Sequence, residues 1–248
     1  GEFGPGRMAE PEEIVDVVTR WFGDASPLAG RRALVTSGPT HEPIDPVRYI
    51  ANRSSGRQGH AIAASLARHG AETTLVSGPT NLADPAGVRV VHIETARDML
   101  AACQAALPVD VAVCAAAVAD WRVDRAAEQK LKKDASCLPA LSLAENPDIL
   151  ATLSATGNAR PALVVGFAAE TENIAANAQA KRQRKGCDWI LANDVSPETG
   201  TFGGGENTIH LVTADGAEDW PRMSKDDVAE QLAERIAAYF ATGDGTAV

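Results

Sequence analysis

Apolar residues along this chain fall into short runs that alternate with amphipathic segments. The short runs predict β-strands at residues 33–37, 73–77, 88–93, 110–116, 163–167 and 188–193. The segments between them repeat apolar residues at helical spacing and predict α-helices at residues 59–69, 96–106 and 173–185. The run at 110–116 is almost continuously small and apolar, which is typical of a parallel strand covered on both faces. The alternation predicts an α/β fold with a Rossmann-like, doubly wound and mostly parallel sheet.

Turn and cap signals predict the remaining elements. Asn146 has the character of a helix N-cap, and Pro147 suits the first helical position because it needs no backbone N–H there. Three further elements are predicted: a short, less buried strand at 138–143, a hairpin formed by 207–212 and 214–216, and a final helix to Phe240 that Ser224 and Asp227 open with a capping box.

The connection between the first strand and the first helix is unusually long. It begins at Gly38 and runs to residue 58, and long ordered connections are usually functional. Ser54 and Ser55 are predicted to cap the first helical amides, and Gly56 to let a ligand approach the backbone. Gly59 is predicted to let the helix lie close to the sheet. This helix start is therefore predicted to bind an anion.

Composition limits the class of protein. The chain has 248 residues, of which 45% are hydrophobic and 23% charged, which suits one large α/β domain. Its net charge of -10 argues against a protein that wraps nucleic acid, since that needs a basic face. The apolar runs are too short to span a bilayer. The scattered cysteines lack C-x-x-C spacing, so they are predicted to be reduced thiols in a cytoplasmic protein: Cys103, Cys114, Cys137 and Cys187.

Polar residues follow several predicted strands, at the edge where ligands bind in open α/β sheets. Residues 118–120, residues 168–171 and Asp194 all come after buried strands. One crevice would then collect backbone amides, two or three carboxylates and the ring of Phe167. Each residue also has an ordinary explanation, because Asp120 could cap a helix and Phe167 could belong to the core.

Two groups of lysines add a positive charge to this picture. Lys130-Leu-Lys-Lys133 is a compact cluster that would suit a triphosphate, although a solvated turn explains it as well. Lys181 and Lys185 lie four residues apart, so they project from one face of a helix. They could equally complement the dipole at the end of that helix.

Six motifs, taken in order, resemble one enzyme family. They are residues 38–56, Ala115-Ala-Ala-Val-Ala-Asp120, Lys130-Leu-Lys-Lys133, Asn146-Pro-Asp148, Gly166-Phe-Ala-Ala-Glu-Thr171 and Ala192-Asn-Asp194. Together they resemble phosphopantothenate-cysteine ligase, also called phosphopantothenoylcysteine synthetase. In bacteria this ligase is commonly the C-terminal half of a chain whose N-terminal half is a flavin-dependent decarboxylase. The expected organisation is a vector-derived tag remnant at 1–7, a linker helix from the decarboxylase half at 8–29, the ligase domain at 30–241 and a disordered tail at 242–248.

The resemblance also implies a reaction. The ligase joins 4'-phosphopantothenate and L-cysteine in coenzyme A biosynthesis. A nucleoside triphosphate, expected here to be CTP with Mg²⁺, first converts the carboxylate to an acyl-cytidylate and releases pyrophosphate. The amine of cysteine then displaces CMP. The family is dimeric, so a homodimer with a small dimerisation arm or flap is expected.

The resemblance assigns roles to particular residues of this sequence. The catalytic residues are expected to be Asn52, Lys130 and Arg48, with Arg48 on the flap that closes over phosphopantothenate. The expected nucleotide-binding positions are Cys114, Ala115, Ala116, Asp120, Lys130, Ala144, Glu145, Asn146, Pro147, Phe167, Lys181 and Lys185. The acyl substrate is expected to contact Gly38, Arg48, Asn52, Ser54, Ser55 and Gly56. Metal ligands stay unknown at this stage.

Two other classes of function are considered. A reductase of the short-chain type, dependent on NAD(P), could use a similar sheet, but the sequence lacks G-x-G-x-x-G and has no Tyr-x-x-x-Lys pair. A non-catalytic nucleotide-binding scaffold for the decarboxylase is the second alternative. Formation of a product from cysteine would separate the scaffold from the ligase.

Overall fold

The computed structural model describes residues 26–132, 140–194 and 206–243, together with Pro11 and Ile14. The predicted N-terminal segment at 8–29 therefore lies mostly outside the described residues, as do the ends at 1–7 and 244–248. Lys133, Cys137 and the first residues of the strand predicted at 138–143 also lie outside them.

The described elements alternate between strands and helices. The strands are β1 (Arg32–Ser37), β2 (Glu42–Asp45), β3 (Arg48–Ile50), β4 (Glu72–Ser77), β5 (Arg89–His92), β6 (Val111–Cys114), β7 (Trp121–Val123), β8 (Leu143–Glu145), β9 (Leu163–Glu170), β10 (Trp189–Asp194), β11 (Glu206–Asn207), β12 (Ile209–Val212), β13 (Ala217–Asp219) and β14 (Met223–Ser224). The helices are α1 (Arg57–Arg68), α2 (Ala96–Ala106), α3 (Ile149–Ser154), α4 (Ile174–Lys185) and α5 (Lys225–Ala241), with a 3₁₀ turn at Gly157–Ala159.

One eight-stranded sheet organises the molecule. Its strand order is β13-β12-β10-β9-β6-β1-β4-β5. The strands from β10 to β5 are parallel to their neighbours, and β12 and β13 continue the sheet antiparallel at one edge. This confirms the predicted doubly wound, mostly parallel sheet, and the late hairpin forms its antiparallel edge.

Alternate residues of the central strands pack on opposite faces of the sheet. Val35 and Val113 belong to the cluster that packs under α1 and α5, with Ile62, Leu66, Leu232 and Ile236. Leu34 and Ala112 face the other way and pack against α2 and α3. Burying each large apolar side chain contributes about 1.5–3 kcal/mol, so both layers stabilise the sheet.

Gly59 brings α1 close to β1, as predicted. A Cβ atom at this position would lie 2.5 Å from the Cβ of Ser37, which is far inside normal contact. Gly56 begins the same helix with a left-handed φ of 76°, a conformation that glycine adopts without strain. The two glycines therefore fix where the helix starts.

Several predicted caps and boundaries were wrong. Ser54 and Ser55 do not cap α1, because no side chain caps it and the Ser54 Oγ accepts instead from the amide of Gly56, at 3.3 Å. Asp148, not Asn146, is the N-cap of α3, so Pro147 precedes the helix. The strand predicted at 138–143 is found as β8, which only begins at Leu143.

The long connection after β1 contains a hairpin that the sequence pattern did not predict. Strands β2 and β3 pair antiparallel across Asp45 and Arg48. The carboxylate of Asp45 accepts hydrogen bonds from the amides of Val47 and Arg48, from the Arg48 guanidinium and from the amide of Leu131. The Arg48 side chain, more than the backbone donors, holds the pKa of Asp45 well below its usual range, although burial opposes the shift. Asp45 therefore fastens the segment around Leu131 to the hairpin.

Within the described ranges, no helix has both the length and the apolar composition that crossing a bilayer would require.

Candidate functional site

A large cleft lies at the carboxyl ends of the central parallel strands. Its volume is about 1470 Å³, above the range usual for a single small ligand. It collects most of the predicted site residues: Asn52, Ser54, Ser55, Gly56, Cys114, Ala115, Ala116, Asp120, Glu145, Asn146, Pro147, Phe167, Lys181 and Lys185. The structure therefore brings most of these strand-end residues into one cleft, although Glu170 and Thr171 from the predicted segment 168–171 do not line it.

The turn after β6 forms one wall of the cleft and is fixed by two threonines. The Thr36 Oγ1 accepts from the amide of Ala116 at 3.2 Å, and the Thr40 Oγ1 accepts from the amide of Ala119 at 3.0 Å. Both threonines are buried, so these bonds are shielded from water. The adjacent Cys114 thiol has its pKa raised well above the ordinary value by burial, so it stays protonated.

Amide side chains cross the middle of the cleft. The Asn52 Nδ2 donates to the carbonyl of Val118 at 2.9 Å, which ties the loop before α1 to the turn after β6. The Asn146 Nδ2 donates to the carbonyl of Ala119 at 2.8 Å. The Oδ1 atoms of Asn146 and Asn193 are buried without a hydrogen-bond partner. Such atoms are costly unless a ligand or water donates to them.

Two lysines of α4 also line the cleft. The Lys181 Nζ donates to the carbonyl of Phe167 at 2.7 Å, and Lys185 forms an ion pair with Asp148. Burial, and then the neighbouring charge of Lys185, lower the pKa of Lys181. Burial raises the pKa of Asp148, but the Lys185 hydrogen bond and smaller effects lower it further, to below its usual value. The Lys185 charge is thus already balanced within the protein.

Comparison with known proteins identifies the family. The family model of the DNA/pantothenate metabolism flavoprotein C-terminal domain matches residues 28–240. The chain belongs to this family. A similar relative is the coenzyme A biosynthesis bifunctional protein CoaBC of Escherichia coli K12, 43% identical over 243 residues, which are 97% of this chain and 60% of that protein. The protein of the same name from Mycolicibacterium smegmatis is 43% identical over 259 residues, covering 98% of this chain and 62% of that protein.

A solved structure supports the same assignment. The crystal structure of the C-terminal domain of a CoaBC protein superposes with a TM-score of 0.72 at 36% identity, covering 88% of this chain and 99% of that one. The chain thus spans about 60% of the length of the curated relatives that it matches. It corresponds to their flavoprotein C-terminal domain.

Four predicted site residues of this flavoprotein C-terminal domain do not line the cleft: Gly38, Arg48, Lys130 and Ala144. Gly38 lies behind the wall, where its carbonyl accepts from the amide of Ala117 at 2.9 Å. Arg48 is ion-paired with Asp45 and also donates to the carbonyl of Leu131 at 2.8 Å. Arg48 and Lys130 therefore lie near one another on the hairpin and its attached segment, and their predicted contacts with substrate stay predictions.

Several residues that line the cleft were missed as site residues, among them Arg57, Asn193 and Lys225. Asn193 lies inside the motif Ala192-Asn-Asp194 and Arg57 directly follows the motif at 38–56, so both could have been found from their neighbours. Lys225 begins α5, far along the chain, and only helix packing brings it to the cleft.

Carboxylates of the cleft do not form a dedicated metal centre. Asp120, Glu145 and Asp148 line it, yet no group of three or more His, Cys, Asp or Glu side chains among the described residues could hold a metal ion. Mg²⁺ is commonly bound through one or two carboxylates together with substrate phosphates. The acidic residues of the cleft fit binding of Mg²⁺ through one or two carboxylates together with substrate phosphates.

Proposed function

We propose that this chain is a phosphopantothenate-cysteine ligase that uses CTP. In the first step, a carboxylate oxygen of 4'-phosphopantothenate forms a bond with the α-phosphorus of CTP, and the bond to pyrophosphate breaks. In the second step, the amine of L-cysteine forms the amide bond, CMP leaves, and the amine loses a proton to solvent. The chain would thus act in coenzyme A biosynthesis.

The observation that supports this proposal is the chemistry of the cleft in a chain of this family. Attack of a carboxylate on a phosphate brings two anions together, so fixed cations and amide dipoles must offset their repulsion. The cleft contains Lys181, Lys185, Arg57 and Lys225, and the N-terminus of α1 opens into it. No histidine is among the described residues that line the cleft, which fits a reaction based on positioning.

In this proposal the cytosine base of CTP lies beside Asn146 and Asn193, which both line the cleft. The buried Oδ1 atoms of Asn146 and Asn193 can accept hydrogen bonds, and the exocyclic amino group of cytosine is a donor. Phe167 lies on the same wall and offers a surface for a base or ribose. This arrangement favours a base with an exocyclic amino group, such as cytosine, over uracil, and the preference for CTP over ATP is proposed from the resemblance to the bacterial ligases.

Mg²⁺ would accompany the triphosphate. When bound, it would neutralise phosphate charge and orient the phosphates. Asp120 and Glu145 are the carboxylates that would hold it, because Asp148 is already ion-paired with Lys185. Asn52 would position the acyl group, since its amide can donate to an oxygen without acting as a competing nucleophile.

A homodimer is part of the proposal. Two of the small sheets, β2–β3 with its turn and β7–β8, expose large apolar side chains: Val47 (59%), Tyr49 (54%), Trp121 (55%) and Leu143 (53%). Exposed apolar groups on neighbouring small sheets are typical of an interaction surface. A second copy of this chain is the proposed occupant.

Pyrophosphate release tests the function directly. The purified chain is mixed with 4'-phosphopantothenate, Mg²⁺ and either CTP, ATP, GTP or UTP, and cysteine is then added. We expect pyrophosphate with CTP in excess of the others, and amide product only after cysteine. Oxidation of NADPH in place of these products would support the reductase, and nucleotide binding without pyrophosphate release would support the scaffold.

A further inference from the structure

Two cations meet at one end of the cleft without a carboxylate. Arg57 is the first residue of α1 and Lys225 is the first residue of α5, and both line the cleft. Neither forms an ion pair or a side-chain hydrogen bond with an acidic residue in the part of the chain that the structure describes. Lys185, in contrast, is paired with Asp148 at the other side of the cleft.

The position of Lys225 is fixed by the first helix. The Gln58 Nε2 donates to the backbone carbonyl of Lys225 at 3.1 Å, and α1 and α5 pack together through Ser65 and Glu230. Ser224 caps α5 with a complete capping box, so the chain cannot easily turn Lys225 away from the cleft. The protein therefore holds two like charges close together.

Holding two cations there costs free energy unless an anion joins them. Burial lowers the pKa of Lys225, and the charge of Arg57 lowers it further. The adjacent start of α1 adds to the positive potential, because Gly56 is its N-cap and no side chain caps it. A polyanion would satisfy all three features at once.

We infer that Arg57 and Lys225 bind a phosphate group of a substrate, with the first turn of α1 as the third side of the site. The inference rests on the proposed function, which supplies two candidate phosphates. One is the terminal part of the CTP triphosphate and the other is the phosphomonoester of 4'-phosphopantothenate. Both are multiply charged at neutral pH and would balance the Arg57–Lys225 pair.

Binding titrations distinguish the two sources. The affinities for CTP and for 4'-phosphopantothenate are measured separately by calorimetry in wild type, Lys225→Met and Arg57→Gln. Loss of one hydrogen bond to a charged group costs about 1.5–3 kcal/mol, which is about ten- to a hundredfold in Kd. We expect this loss of affinity for either CTP or 4'-phosphopantothenate, and not for both. Pantothenate, which lacks the phosphate, should bind wild type and variants equally if the monoester is the partner.

Two controls keep the result specific. Lys225→Arg retains the charge and should recover most of the affinity, whereas Arg89→Gln removes a cation from edge strand β5 and should change neither Kd. Circular dichroism confirms that each variant is folded. If both ligands bind Lys225→Met and Arg57→Gln within about twofold of wild type, the inference is wrong. That failure is separate from a failure of the proposed function, which wild-type pyrophosphate release alone decides.

Discussion

His60 is a buried imidazole that supports the start of α1. Its Nδ1 lies 3.0 Å from both the Gly56 carbonyl oxygen and the Ser37 Oγ, while its Nε2 is buried without a partner. Protonation would place a second N–H in a position that offers it no acceptor. Burial accordingly lowers the pKa of His60 below 6.5, against smaller opposing effects from Gly56 and Asp84. Only the neutral ring suits this site.

Stability should therefore fall in mild acid. As the pH drops below 6.5, the unfolded chain binds a proton at His60 that the folded chain does not, so folding becomes less favourable. Urea unfolding at about pH 7.5 and about pH 5.5 measures this, and each unit of pKa difference corresponds to about 1.4 kcal/mol. We expect His60→Phe to lose less stability than wild type over this interval.

His41→Gln is the matched control, because the His41 ring stacks on Tyr49 and forms no ion pair among the described residues. The control variant should lose as much stability as wild type between about pH 7.5 and about pH 5.5. Equal losses in His60→Phe and wild type would show that His60 does not titrate as its burial requires.

A helix cap in this fold can position a residue of the cleft as well as stabilise its helix. Thr95 and Ser224 each form a complete capping box, with Asp98 and Asp227 respectively. The first box opens α2, away from the proposed phosphate site, and the second opens α5 immediately before Lys225. The two caps are chemically equivalent, but only the cap at Ser224 positions a residue of the cleft.

Alanine at each cap separates stability from binding. Ser224→Ala and Thr95→Ala should each lower the free energy of unfolding by about 1 kcal/mol, measured by urea denaturation. Only Ser224→Ala should also weaken binding of the ligand that Lys225 holds, because it loosens the first turn of α5. If Thr95→Ala weakened that binding equally, the effect would be global and the distinction would be lost.

The elements predicted from sequence were those that local pattern determines. The helix at 96–106 and the strands around residues 33–37 and 163–167 follow from the spacing of their own apolar residues, and the structure contains them. The cap at Asn146 was wrong because its side chain bonds to Ala119, 27 residues away. The hairpin β2–β3 was missed because a buried carboxylate, not an apolar pattern, holds it together.

The residues of the candidate site also divide into those that local sequence pattern predicts and those that depend on distant packing. Residues near the carboxyl ends of central strands, such as Asp120 beyond β6 and Phe167 in β9, were predicted to meet, and they line one cleft. Lys225 could not be predicted, because its place depends on how α5 packs against α1. Lys130 follows no core strand, so the strand-end argument never applied to it, and the described cleft does not include it.

For the whole molecule, the apolar surface on the two small sheets makes a prediction about assembly. Trp121→Ser and Tyr49→Ser together should convert the proposed dimer to a monomer, because they remove the largest exposed apolar side chains from that surface. Sedimentation velocity measures the change as a halving of mass. Ala241→Ser, an exposed change at the end of α5, should leave the mass of wild type unaltered. A monomeric wild type would contradict the proposed homodimer.

The hydrogen bond from Gln58 to Lys225 joins residues that are 167 positions apart in the chain. A ribosome makes the chain from its N-terminus at about 5–20 residues per second, so the loop and first helix exist for many seconds before α5 has been synthesised. During that interval the apolar face of α1 that later packs against α5 has no cover, and the cleft has only part of its wall. The emerging chain can form its central strands early, but it cannot acquire the Arg57–Lys225 pair until α5 has been synthesised.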